Sequence, residues 1–333
     1  MSSIAFERSP YANRPAPVPL ADAVEIAVLI PCYNEEATVA SVVEAFRDAL
    51  PSARIYVYDN ASDDMTSAAA RGAGAIVVRE PLRGKGNVVR RMFADIEADI
   101  YVLVDGDHTY DAGAAPRLVK RLLDDQLDMV NGARESEMRH AYRPGHRFGN
   151  RLFTKLVSMI FGHRFRDILS GYRVLSRRFV KSFPALSRGF EIETELTVHA
   201  LELRMPVAEE ATAYKERPDG STSKLSTFGD GWRILRTIVQ LMKEERPLPF
   251  FSAIFAVLVA LSLLIAYPLL MTYLDTGMVP RFPTAILVSA MMVLAFLSLT
   301  CGVILDTVTR GRKEMKRLRY LELSAPPRGA GLP

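Results

Sequence analysis

Residues 101–111 read YVLVDGDHTYD, an apolar run that ends in two aspartates, Asp105 and Asp107, separated by one glycine. Carboxylates this close repel each other, and each raises the other's pKa unless positive charge lies between them. A divalent cation, a basic side chain or the water around an ordinary loop would supply that compensation. Three earlier stretches have the same character: PCYNEE (31–36), DNASDD (59–64) and LRGKGN (82–87). Each follows a short apolar run and presents polar or charged groups at its end. Singly they are weak signals. Asp-Asn-Ala-Ser-Asp-Asp can cap a helix, and GKG lacks the GxxxxGK[ST] spacing of a Walker loop. Their common placement is the informative feature.

That placement depends on the elements between them. VEIAVLIP (24–31), RIYVYD (54–59), AIVVRE (75–80) and DIYVLVDGD (99–107) read as strands. The intervening stretches 35–50, 63–74 and 86–96 read as helices, the first with Val39, Val42, Val43, Phe46 and Leu50 on one face. Alternation of this kind predicts an α/β fold with a mostly parallel, doubly wound sheet. Ligands bind such sheets beyond the carboxyl ends of the strands, so the four motifs are expected to line one crevice.

The chain has 333 residues and a formal net charge of +4, too mild to argue for a nucleic-acid partner. Its two cysteines, Cys32 and Cys301, do not suggest a disulfide framework, so a reducing compartment is the default. Residues 1–23 hold no apolar stretch long enough for a signal peptide and are expected to form a disordered arm. The C-terminal quarter is of another class. Residues 250–274 and 282–305 carry no charge. At about 1.5 Å per residue each run crosses a hydrocarbon core roughly 30 Å thick. The pair, 250–305, reads as a membrane hairpin behind a juxtamembrane amphipathic helix (228–249). Lys243 and Arg246 precede it, and the run RGRKEMKRLR (310–319) lies in the basic tail that follows (306–333). The positive-inside bias therefore places both termini and the domain 24–227 in the cytoplasm, with the basic tail against an anionic leaflet.

With LIPCYNEEATV, YDNASDD, RGKGN and VDGDHT in this order, the chain resembles glycosyltransferase family 2, inverting enzymes of the GT-A fold that use nucleotide-sugars. DILSGYRVLSRR (167–178), GFEIETEL (189–196), SKLSTFGDGWRIL (223–235) and the hairpin are similar to the polyprenyl-phosphate (dolichyl-phosphate) hexosyltransferases within it. The chain departs from the family's Val-Asp-Asp-Gly at Asn60 and Ala61, while Asp59 keeps the first aspartate position.

Hard oxygen ligands such as Asp105 and Asp107 suit Mg²⁺ or Mn²⁺, with Asp107 the direct ligand and Asp105 divided between metal and donor. The expected donor contacts are Pro31, Tyr33, Glu35, Asp59, Lys85 and Asp105. A lipid monophosphate is already ionised at neutral pH and needs no general base, only a cationic seat. Residues 134–151 supply Arg134, Arg139, Arg143, Arg147 and Arg151. The resemblance assigns the acceptor phosphate to Arg134, Arg147 and Asn150, with His146 where many relatives carry another arginine. The amphipathic stretch 150–165 is expected at the membrane interface. Arg217 and Lys224, in the loop RPDGSTSK, would close over the phosphates. The resemblance also makes Asp167 the active-site carboxylate near the acceptor, with Arg173 positioning it or bracing the fold. Glu191, Glu193 and Glu195 are expected to be structural or supporting.

The reading that follows is a hexosyltransferase taking a UDP- or GDP-linked sugar to undecaprenyl or dolichyl phosphate at the bilayer; a homo-oligomer is compatible with it. A processive polysaccharide synthase is the alternative, but Trp232–Arg233 does not form the Gln-x-x-Arg-Trp element of those enzymes. A non-catalytic nucleotide-sugar-binding scaffold would not need a metal site. The topology has a direct check. On a background without native cysteines, a cysteine at Thr276 should react with an impermeant label from outside the cell and one at Gly311 should not. Reversed labelling would contradict the charge rule.

Overall fold

The alternating stretches become a wound sheet in the computed structural model, which describes residues 24–135, 165–187, 189, 191–215, 239–240 and 242–327. β1 (Ile26–Cys32), α1 (Val39–Ala49), β2 (Arg54–Asp59), α2 (Thr66–Gly72), β3 (Ile76–Arg79), α3 (Lys85–Asp95) and β4 (Ile100–Leu103) follow in order. A short 3₁₀ turn at Ala112–Ala114 leads into α4 (Ala115–Asp124) and β5 (Met129–Glu135). Next come β6 (Arg173–Ser176), α5 (Arg177–Ser182), α6 (Ile192–Glu202) and β7 (Val207–Ala213). Across the sheet the order is β3-β2-β1-β4-β6-β5-β7. The first four strands are mutually parallel, β6 runs against both β4 and β5, and β7 is parallel to β5. The reversal at β6 is not signalled by its sequence. RVLS is a four-residue run buried throughout, and such a run carries no mark of direction.

The central strands β1 and β4 bury both faces. Ile26, Val28 and Ile30 of β1 join Val39, Val43 and Phe46 of α1 and Leu118 of α4 on one side. Ala27 and Leu29 join Met92 and Phe93 of α3, Phe179 of α5 and Leu196 of α6 on the other. Each buried side chain of this size contributes roughly 1.5–3 kcal/mol. A slip by one residue would exchange the two sets, which holds the register. Winding reverses between β1 and β4, so the carboxyl ends of these neighbours open the crevice.

Two further helices follow: α7 (Pro247–Thr276) and α8 (Phe282–Leu321), of 30 and 40 residues. Both are long and apolar enough to cross a membrane, and their apolar windows are only 6% and 11% buried, unlike core helices of a soluble domain. They pack closely. The rings of Phe255 and Phe296 lie 5.5 Å apart, and the Ser298 hydroxyl donates to the Phe251 carbonyl at 3.2 Å.

α8 does not stop at the end of its apolar run. It continues through the basic residues 310–319 to Leu321, since Arg, Lys, Glu, Met and Leu all favour helix. This part lies against the catalytic domain, with Lys316 Nζ 2.7 Å from Glu202 and the Tyr320 hydroxyl 2.8 Å from Asp128. Of the expected juxtamembrane helix, residues 239–240 and 242–245 are helical. The arm 1–23, nearly all of the amphipathic stretch 150–165 and residues 228–238 lie outside the described residues.

Candidate active site

Four strand-end loops are stitched into a closed rim. The β1 loop meets the β2 loop where Asn34 N donates to Ser62 Oγ and Glu35 N to Thr66 Oγ1, both at 2.9 Å. The β2 loop meets the β3 loop through Asn60. Its amide donates to the carbonyls of Glu80 (3.2 Å) and Leu82 (2.7 Å), and its Oδ1 accepts from Gly84 N at 2.6 Å. The β3 loop meets the β4 loop where Lys85 Nζ donates to Asp105 Oδ1 at 2.5 Å. The β4 loop returns to the first where Thr38 Oγ1 donates to the Gly106 carbonyl at 2.7 Å. Asn60 thus has a role that an aspartate could not fill, because a carboxylate has no N–H to donate. Its neighbour Ala61 sits at φ 56°, a left-handed turn position that glycine adopts more easily.

Charge is concentrated inside this rim. Cys32 lies buried at the end of β1; burial raises its thiol pKa, and Glu35, Asp59, Asp105 and Asp107 all raise it further. Those carboxylates, from three strand ends, therefore converge on one place. Asp107 is buried, and its Oδ1 accepts from the Thr109 hydroxyl at 2.6 Å. Lys85 is held between Asp105 and Glu193, with Glu193 Oε1 also 2.5 Å from its Nζ. Burial works against the charge on Lys85, but the two carboxylates outweigh it and hold its pKa well above the ordinary lysine value. Burial likewise pushes the Glu193 carboxyl above its usual range, despite Lys85. Glu193, expected to be structural or supporting, is thus brought against Lys85. Of its neighbours, Glu195 accepts from Leu186 N and Ser187 N and braces a loop.

The turn Asp167–Gly171 ties this centre to Arg134. At one end, Asp167 receives Arg134 as a fork, Nε at 2.6 Å and Nη2 at 2.8 Å. At the other, an added Cβ on Gly171 would collide with the Asp105 carboxylate, so only glycine allows this approach. Arg173, fully buried, pins the turn by donating to the carbonyls of Ser170 (3.1 Å), Ile168 (2.6 Å) and Glu193 (2.8 Å). Desolvation lowers its pKa to about 10. It braces the fold, as one of its two expected roles required.

Other expected donor contacts occupy the rim. Pro31, one residue before the end of β1, is in register with Tyr58, and the Arg83 guanidinium lies 5.2 Å from the centre of the Tyr33 ring. Asp59 accepts from Ser62 N at 2.9 Å and Ser67 Oγ at 2.5 Å. Burial opposes its charge, but these bonds, with Arg79, keep its carboxyl below the usual range. Its carboxylate therefore shapes the loop first. Arg147, Asn150, Arg217 and Lys224 lie outside the described residues.

The donor set fits a divalent cation of the Mg²⁺ or Mn²⁺ kind. Among the described residues, no three His, Cys, Asp or Glu side chains form a cage for a metal. Asp105 and Asp107 supply the one or two carboxylates that such ions take when phosphate oxygens complete the shell.

This sheet order, with an Asp-x-Asp pair at the switch point and a buried lysine opposite, defines an enzyme of the GT-A fold. Glycosyl transferase family 2 matches residues 27–183, and the chain belongs to that family. It is 34% identical over 316 residues to the glycosyltransferase AglJ of Haloferax volcanii, covering 92% of this chain and 100% of that protein. It is 28% identical over 222 residues to a dolichyl-phosphate hexose transferase of the same organism, covering 67% of this chain and 96% of the other. Among solved structures, glucosyl-3-phosphoglycerate synthase of Mycobacterium tuberculosis with Mn²⁺, UDP-glucose and phosphoglyceric acid aligns with a TM-score of 0.52. That match has 25% identity and covers 66% of this chain and 79% of that one. The protein is a glycosyltransferase.

The Asn60 clamp makes a prediction about the rim. Asn60→Asp removes both donations and sets a carboxylate against two carbonyl oxygens, freeing the turn that starts α3 at Lys85. The kcat/KM for the sugar donor should fall about tenfold or more, the scale expected when a reacting group is misplaced. Unchanged donor kinetics in a folded variant would show that the clamp does not position Lys85.

Proposed function

We propose that the enzyme transfers a hexosyl group, with inversion, from a UDP- or GDP-linked sugar to a membrane polyprenyl monophosphate such as undecaprenyl or dolichyl phosphate. The observation that carries this reading is the turn Asp167–Gly171, which holds an arginine fork at one end and abuts the Asp105 carboxylate at the other. Asp167 fixes the plane of Arg134, and a fixed guanidinium plane suits a phosphate. Two helices apolar enough to span a bilayer follow the same domain, which favours a lipid acceptor. The similarity to a dolichyl-phosphate hexose transferase supports the same choice, and the neighbour with UDP-glucose supports a uridine donor.

Asp105 and Asp107 would hold the cation. A bound divalent ion neutralises charge on the departing nucleoside diphosphate. The acceptor phosphate oxygen forms a bond to the anomeric carbon on the face opposite the leaving group. The bond from that carbon to the donor phosphate oxygen breaks, and its electron pair leaves on the nucleoside diphosphate. No proton has to be removed, because the acceptor oxygen arrives ionised. Lys85 keeps Asp105 and Glu193 at fixed separation, so the carboxylates do not swing when substrate enters. The rim contacts Pro31, Tyr33, Glu35 and Asp59 would face the nucleoside. Arg147, Asn150, Arg217 and Lys224 would complete the phosphate seat, and the catalytic domain and both termini would face the cytoplasm.

The test incubates membranes holding the protein with polyprenyl phosphate or polyprenol and a panel of UDP- and GDP-sugars, then identifies products by mass. One polyprenyl-phosphate-sugar is expected, abolished by chelator and restored by Mg²⁺ or Mn²⁺, with no product on polyprenol. Asp107→Ala should lower the rate at least ~10²-fold, the scale of removing one electrostatic element. Efficient transfer to the alcohol, or full activity in excess chelator, would overturn the reading.

A further inference from the structure

Helix α8 has a second part whose contacts the transfer reaction does not explain. Beyond the apolar run, residues 306–321 extend the helix by about 24 Å at 1.5 Å per residue. This extension is gripped at three levels. Nearest the span, the Glu244 carbonyl, just before α7, accepts from Thr309 Oγ1 at 3.1 Å and Arg312 Nη2 at 2.9 Å. Next, Lys316 Nζ lies 2.7 Å from Glu202, whose side chain is 2% exposed, and Lys313 lies 3.3 Å from Glu245. At the far end, Tyr320 donates to Asp128 at 2.8 Å, beneath the Arg178 guanidinium at 4.8 Å from its ring centre. Asp128 is fully buried and also accepts from Ser176 Oγ at 2.6 Å and Arg178 Nη2 at 2.9 Å.

Two of the gripped acids, Glu202 and Asp128, lead into the active site. Glu202 ends α6, the helix that carries Glu193 to Lys85. Asp128 immediately precedes β5, the strand whose far end carries Arg134. Exposed ion pairs contribute little, but Glu202 and Asp128 are removed from solvent, where loss of a partner leaves a costly unpaired charge. The extension is thus a rigid continuation of a membrane-crossing helix, joined to both elements that carry the site.

We propose that this extension is a strut that sets the height and tilt of the crevice over the bilayer, and thereby makes the enzyme selective for an acceptor phosphate anchored in the membrane. The proposal rests on the acceptor reading above. An anchored phosphate is presented at one depth, so a tilted crevice misses it. A dissolved phosphate approaches from any direction and is indifferent to the tilt.

The experiment compares two acceptors of one chemistry: polyprenyl phosphate in proteoliposomes and a short, water-soluble prenyl phosphate added to the same vesicles. Lys316→Glu sets like charges against Glu202, and Glu202→Lys in the same chain restores the pair with reversed sign. For Lys316→Glu, kcat/KM on the anchored acceptor should fall about tenfold or more. Turnover of the soluble acceptor and calorimetric donor affinity should stay within about twofold, on the view that distant sites act independently. The double variant should recover the anchored activity. Spin labels at the exposed positions Arg204 and Arg317, on a Cys301→Ser background, should report one distance in the parent, a broad spread in Lys316→Glu and one distance again in the double variant. Equal loss on both acceptors would mean that the contact only supports the fold, and full anchored activity with a broadened distance would mean that the strut is idle. Either result overturns the proposal. Failure of the parent protein to use either prenyl phosphate would instead sink the acceptor reading, and the strut's role with it.

Discussion

The structure depends on keeping one buried lysine charged. Lys85 sits at the start of α3 with its ammonium between Asp105 and Glu193. An isolated charge there would be prohibitive, and one carboxylate alone would leave the other's charge unpaired. Each member therefore constrains the element that brings it. Gly84 adopts φ 124° to turn the chain into α3, Asn60 holds that turn, and α6 must approach closely enough for Glu193 to reach. Arg173 extends the constraint to the Asp167–Gly171 turn by binding the Glu193 carbonyl and two carbonyls of the turn. Arg134 and Asp105 are in this way referred to a single frame, although they come from β5 and the end of β4.

A frame of this kind suits a reaction in which the protein handles charge and position and moves no proton. In the proposed transfer the departing nucleoside diphosphate and the acceptor phosphate are both anionic, so two clusters of negative charge must approach each other. Preorganised cationic and metal-binding groups lower the cost of that approach because they do not reorganise when substrate arrives. The contacts of α8 carry the same logic outward. The helix packed on α7 also touches Glu202 and Asp128 of the catalytic domain, so the crevice and the two apolar helices share one mechanical reference.

Much of this was legible in the sequence for a local reason. Strands buried on both faces read as uninterrupted apolar runs, and the polar residues at their carboxyl ends must line the crevice. The stretches that hold Asp105, Asp107, Lys85, Glu35 and Asp59 could therefore be placed at the crevice from the pattern, and the family resemblance singled out these residues. What was hidden depends on distant pairing. Glu193 reaches Lys85 from 108 positions away, and nothing in GFEIETEL separates it from its two neighbouring acids. Arg134 and Asp167 were both recognisable, yet their union as a fork needs β5 and the turn before β6 to lie side by side. The basic run 310–319 resembles a solvated tail by composition; its docking depends on Asp128 and Glu202, buried acids far away in the chain. Asn60, which reads as a lapse from the family pattern, becomes intelligible only when the carbonyls of Glu80 and Leu82 are seen beside its amide.

Asp105 and Asp107, steadied by Lys85 and Glu193, are proposed to receive a cation together with a nucleoside diphosphate. Calorimetric titration of UDP and GDP into the purified full-length protein, with and without Mn²⁺, tests it without relying on any acceptor. Strong binding of one nucleotide is expected only with the cation present, with loss of the cation's effect in Asp107→Asn. Equally strong binding without a divalent ion, or a cation effect undiminished in Asp107→Asn, would contradict it.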